Sequence, residues 1–158
     1  MSMRALNEVV IVGAKRTPMG SFMSKLAGVP ATKLGSIAIE AAVAHAGISK
    51  EQVQECYMGN VCQAGQGQAP TRQAALGAGL SVSTPCTTVN KVCASGTKAI
   101  MQAAQNIMTG QVDCMVAGGM ESMSNVPFIQ KRNVEGYSWL IEIVEEGFCD
   151  FLTENARK

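Results

Sequence analysis

The first strongly patterned stretch of the chain is Val9-Val10-Ile11-Val12, four apolar residues closed by Gly13. Such a run predicts a strand buried on both faces, as in a parallel sheet covered by helices. Over 33–46, Leu34, Ile37, Ala38, Ala41 and Val43 recur at roughly helical spacing. Gly47 then stands where a left-handed cap ends a helix. Ser49 and Gln52 carry the signature of a capping box opening a second, short helix, and 56–61 is strand-like. Residues 63–71, QAGQGQAPT, form a loop, and 73–80 predict a small helix. The stretch 86–92 is β-prone. Beyond it Ala99, Ile100, Ala103, Ala104, Ile107 and Met108 share one helical stripe, predicting a helix over 93–109, and 112–117 is again a buried-strand run. The order β-α-α-β-α-β-α-β predicts an α/β fold with a mostly parallel sheet.

Composition changes near residue 128. Five of the seven aromatics (Phe128, Tyr137, Trp139, Phe148 and Phe151) and six of the twelve acidic residues follow that point. The preceding segment is rich in Gly, Ala and small apolar residues, which suits closely packed strands and helices. Two segments are therefore expected: a core over 1–127 and a short divergent tail over 128–158. In the tail, Trp139, Leu140, Ile143, Val144 and Phe151 are expected to pack the inner face of a helix.

A chain of 158 residues can bury a core without disulfides or metal. With 13 basic residues against 12 acidic ones it lacks the basic excess of nucleic-acid binding and of membrane-surface binding. No apolar segment approaches the length of a membrane span. The six cysteines, at 56, 62, 86, 93, 114 and 149, include no C-x-x-C pair, which argues against a metal site or a cysteine-rich redox protein. No leader is visible, so a reducing, cytoplasmic setting is expected, with a mitochondrial one as the alternative. Gly13 to Gly20 and Gly65-Gln66-Gly67 do not make a dinucleotide fingerprint, Gly118-Gly119 suggests a tight turn, and the ten methionines suit irregular core filling.

Cys93 is the candidate for chemistry, because it lies where a strand hands over to a helix. Unpaired N–H groups and the positive end of the helix dipole stabilise a thiolate there, and the same N–H groups can receive an oxyanion. Ala94, Ser95 and Gly96 leave room for a substrate carbonyl. Read from spacing alone, a small buried hydrophobe is the commoner role for a free cysteine such as Cys93. His45, near a helix end, fits a structural histidine.

Four blocks carry a resemblance: VVIVGAKRTPMGSF at 9–22, GNVCQAGQGQAPTRQAALGAG at 59–79, NKVCASGTKAI at 90–100 and VAGGMESMSNVP at 116–127. Together they resemble the N-terminal half of a thiolase of the acetyl-CoA acetyltransferase type. The resemblance implies a layered α/β fold of which this chain holds one half of a two-half core. It implies that Cys93 becomes S-acetylated, that its own backbone N–H contributes to an oxyanion hole, and that the substrate is an acyl-CoA with no resident cofactor. The family's G-H-P histidine, N-E-A-F asparagine and second, C-x-G cysteine have no counterpart here. The tail resembles a remnant of the family's loop domain, in which Lys131 and Arg132 are either a solvated pair or contacts to a CoA phosphate. Two functions follow: an acyltransferase working through Cys93, or a catalytically incomplete thiolase-like chain acting by association with a full-length thiolase. In either case a half-core would leave apolar surface on the Cys93 helix side, so a homo-oligomer or a thiolase partner is expected.

Overall fold

The structure, a computed structural model, describes residues 6–129. The chain divides into two compact units, Met1–Val126 and Pro127–Lys158. The tail helix expected around Trp139, and the pair Lys131 and Arg132, lie outside the described residues.

The first unit is a three-stranded parallel sheet with helices against both faces. Strands β1 (Glu55–Gly59), β2 (Cys86–Val89) and β3 (Met115–Gly119) lie in the order β2-β1-β3. Register runs from Cys56 opposite Cys86 to Gly59 opposite Val89 on one side, and from Glu55 opposite Met115 to Gly59 opposite Gly119 on the other. Each crossover is helical, as parallel neighbours require. Helix α1 (Ala31–Ala46) packs on α2 (Pro70–Gly77), and α3 (Ser95–Met108) lies along β3 and β1.

The strand period of two assigns the faces. Cys56 and Met58 of β1 join Ile39, Val43, Val53, Ala74 and Leu80 in the buried core under α1 and α2. The alternating residues meet α3, where Asn106 donates to Glu55 and to the Tyr57 hydroxyl (3.3 and 3.0 Å). Full burial of a side chain such as Ile39 or Val53 contributes ~1.5–3 kcal/mol.

Most boundaries follow from local chemistry. Gly47 closes α1 at φ +68°, and the Gln52 side chain accepts from Ser49 N (2.8 Å) to open a single 3₁₀ turn. Helix α2 starts at Pro70 rather than at 73. Proline suits the first helical position, and the buried Thr71 anchors that end through its hydroxyl to Thr88 Oγ1 (2.8 Å) and to the Met58 carbonyl (3.4 Å).

One expected element is absent. Val9-Val10-Ile11-Val12 forms no strand, and Val10, Ile11 and Val12 are 67%, 79% and 62% exposed. An apolar run becomes a strand only when another strand takes up its N–H and C=O groups. Here β1 already has β2 and β3 on its two sides, and the run pairs with neither outer strand among the described residues. It is tethered at its ends instead, where Asn7 N donates to the Met108 carbonyl (3.0 Å) and Ala14 N to His45 Nδ1 (3.4 Å).

Candidate active site

Strand β2 reaches α3 through a tight turn over residues 90–94, and Cys93 sits exposed on it, two residues before the first helical residue. Val92 has φ +49°, a left-handed conformation that a β-branched residue adopts only when its surroundings impose it. Ser95 imposes it. Its hydroxyl donates to the Val92 carbonyl (2.6 Å) and accepts from Lys91 N (2.8 Å), while Asn90 Oδ1 accepts from Val92 N (3.2 Å). The turn is completed by Ala94 N donating to the Lys91 carbonyl and Ser95 N to the Val92 carbonyl, both at 3.1 Å. The sequence offered Ser95 only as a small neighbour; its hydroxyl is what shapes the turn that carries Cys93.

Three glycines bring this turn down onto the sheet. A Cβ at Gly59 would collide with the backbone of Ser95 and Gly96, and one at Gly119 would stand 3.3 Å from Gly96 Cα. The expectation of a tight turn at Gly118-Gly119 is corrected here. Both residues lie within β3, and the small size of Gly119 serves the close approach of α3.

The surrounding wall is tied together by the segment Glu121 to Asn125. Glu121 accepts from Asn60 Nδ2, Val61 N and Cys62 N, each at 2.9 Å, fixing the chain that leaves β1. Ser124 Oγ accepts from Met23 N (2.9 Å), and Ser122 Oγ and Asn125 Nδ2 donate to the Val29 carbonyl (3.0 and 3.1 Å). The result is a cleft of about 700 Å³ at the carboxyl ends of the strands. Cys93, Ser95, Met120 and Glu121 line it from the sheet side, and Arg16 and Phe22 from the loop that precedes α1. Glu121 and the loop contacts were missed from sequence, although the block ESMSN that contains them was visible. The chain's one histidine, His45, is exposed at the far end of α1 and does not line the cleft. Among the described residues no three side chains are grouped to hold a metal ion, and no helix is long and apolar enough to cross a membrane.

An exposed cysteine on a constrained strand-to-helix turn stands over a cleft at the carboxyl ends of a parallel sheet, the place where α/β proteins bind their ligands. The family model for the thiolase N-terminal domain matches residues 9–154, and this chain belongs to the thiolase family. It is 63% identical over 153 residues to bovine mitochondrial acetyl-CoA acetyltransferase, covering 95% of this chain and 36% of that protein. To the human mitochondrial acetyl-CoA acetyltransferase it is 62% identical over 153 residues, with the same shares covered. The crystal structure of Acat5 thiolase from Ascaris suum in complex with coenzyme A superposes with a TM-score of 0.78 at 38% identity, over 81% of this chain and 34% of that one. The chain thus spans about a third of the length of the relatives it matches.

Proposed function

We propose that this chain supplies the acyl-accepting half of an acetyl-CoA acetyltransferase, with Cys93 as the nucleophile. The observation that carries the reading is the turn itself: a cysteine exposed over the cleft, held by Ser95 through a left-handed Val92. In this reading the Cys93 thiolate attacks the thioester carbonyl of acetyl-CoA. The Cys93 N–H receives the oxyanion, and the C–S bond to CoA then breaks to leave an acetyl-cysteine and the CoA thiolate. No resident cofactor takes part. Lys15 and Arg16 on the cleft wall suit the phosphates of the CoA substrate. The mitochondrial names of the relatives favour a mitochondrial setting over the cytoplasmic one.

The second half of the reaction, condensation with another acetyl-CoA, needs a base at the α-carbon, a contribution worth ~10²–10⁴-fold. The histidine and second cysteine that the resemblance assigns to that work have no counterpart in these 158 residues. The test is to incubate the chain and Cys93→Ala with acetyl-CoA and to measure intact mass and acetoacetyl-CoA together. An acetyl adduct that disappears in Cys93→Ala, without turnover, supports the reading. No adduct in either protein overturns it and leaves the alternative, a non-catalytic chain that acts through a full-length thiolase.

A further inference from the structure

The cysteines at 56 and 86 are thirty positions apart in sequence, and no motif links them. In the sheet they are register partners on adjacent parallel strands, on the face that carries the buried core. Adjacent strands lie ~4.7–4.9 Å apart, inside the ~4.4–6.8 Å Cα separation that a disulfide spans. The two residues differ in environment. Cys56 is fully buried, whereas Cys86 is only partly so. Beside Cys86 lies the Arg72 guanidinium of α2, held by the carbonyls of Val82 (2.9 Å) and Thr84 (3.4 Å), and Cys86 Sγ itself donates to the Thr84 carbonyl (3.3 Å).

We propose that Cys56 and Cys86 are a peroxide-responsive thiol pair, with Cys86 as the sulfur that reacts and Cys56 as the one that resolves it. The pairing of an accessible, activated thiol with an adjacent second thiol is the chemistry of a redox-sensing site. Hydrogen bonding from Cys56, together with Arg72, holds the Cys86 thiol down to about 7 against opposition from burial and from Glu55. The same interaction and burial push Cys56 strongly up, so it remains the protonated partner.

The chemistry balances with a hydroperoxide as oxidant. The Cys86 thiolate attacks the outer oxygen of ROOH, the O–O bond breaks, and ROH leaves as a sulfenic acid forms on Cys86. Cys56 sulfur then attacks the Cys86 sulfur and displaces the hydroxyl, which departs as water with the Cys56 proton. The sum is two thiols and ROOH to a disulfide, ROH and water. The bond would staple β1 to β2 at the end of the sheet away from Cys93, so the pair is separate from the acylation site and its test does not depend on that assignment.

The full chain, freshly reduced, is treated with hydrogen peroxide at neutral pH, alkylated and digested without reductant for mass mapping. The expected product is a Cys56–Cys86 cross-linked peptide, formed at least about tenfold faster in the native chain than in urea and undiminished in Cys93→Ala. In Cys56→Ala the Cys86 sulfenic acid, left without its partner, should be captured by dimedone. Native wild type in which Cys86 stays reduced, becomes a sulfinic acid, or pairs with another cysteine overturns the proposal. So does a cross-link that forms equally fast in urea. The wild-type comparison stands even if the variant does not fold.

Discussion

Gly59 at the end of β1 and Gly96 in the first turn of α3 are in backbone contact, so close that a single methyl group on Gly59 has no space. This contact sets the height of the Cys93 turn above the sheet. Helix α3 reaches the strand ends because neither residue, nor Gly119 on the next strand, carries a side chain.

Gly59→Ala is therefore expected to overpack the junction, at ~1–3 kcal/mol of stability, and to slow acetylation of Cys93. Gly28→Ala, at a site where an added Cβ meets nothing within 4 Å, should change neither. Urea midpoints and adduct formation by intact mass compare the two.

Ser95→Ala should remove both the acceptor for Lys91 N and the donor to the Val92 carbonyl. An unsatisfied N–H at a partly buried site costs ~1–3 kcal/mol, and Val92 would be released from its left-handed conformation. The expected result is a lower urea midpoint with a larger fractional loss of Cys93 acetylation. An unchanged acetylation rate would mean that Ser95 does not shape the turn.

Glu121→Gln tests the clamp on the chain leaving β1. Two carboxylate oxygens accept three donors there, and an amide replaces one oxygen with an NH₂ that faces a donor. A stability loss of ~1–3 kcal/mol is expected, with faster hydrogen exchange at Val61 and Cys62.

The Cys86 thiol should titrate near 7 rather than at its ordinary 9.0. Its folded pKa is lowered, so its contribution to stability is fully present above pH 9.0, declines from there to about 7, and is absent below. Cys56, shifted upward, acts in the opposite sense above 9.0, which makes labelling the cleaner measurement. Iodoacetamide modification of Cys86 should show its inflection near pH 7. Cys56→Ala should move that inflection up, since the Cys56 hydrogen bond is the largest cause of the shift.

Apolar surface remains open on the described unit: beside the exposed run at Val10 to Val12, Ile100 and Met101 on α3 are 47% and 51% exposed. Self-association at low micromolar concentration, or binding of a full-length thiolase, is the expected consequence, and sedimentation velocity reads it. A compact monomer that leaves the dye ANS dark would show that this surface is not an association face.

The amino-acid sequence by itself determined the elements whose signals are local. Gly47 ends α1, Ser49 and Gln52 open the short turn, and the stripe through Ala99 and Ala103 makes α3, because each depends on residues within one or two turns. It also placed Cys93 at a strand-to-helix handover, and its motifs carried the family. Tertiary structure decided whatever depends on a distant partner. Val9 to Val12 has the composition of a buried strand, yet a strand forms only against a neighbour's hydrogen-bonding groups, and the run pairs with neither outer strand of the described sheet. Gly119 reads as a turn glycine until Gly96 arrives from another element. Ser95 reads as a small residue until its hydroxyl meets Lys91 N and the Val92 carbonyl. The pairing of Cys56 with Cys86 has no sequence signature at all, since it comes from the register of two strands joined through α2 rather than from the spacing of cysteines.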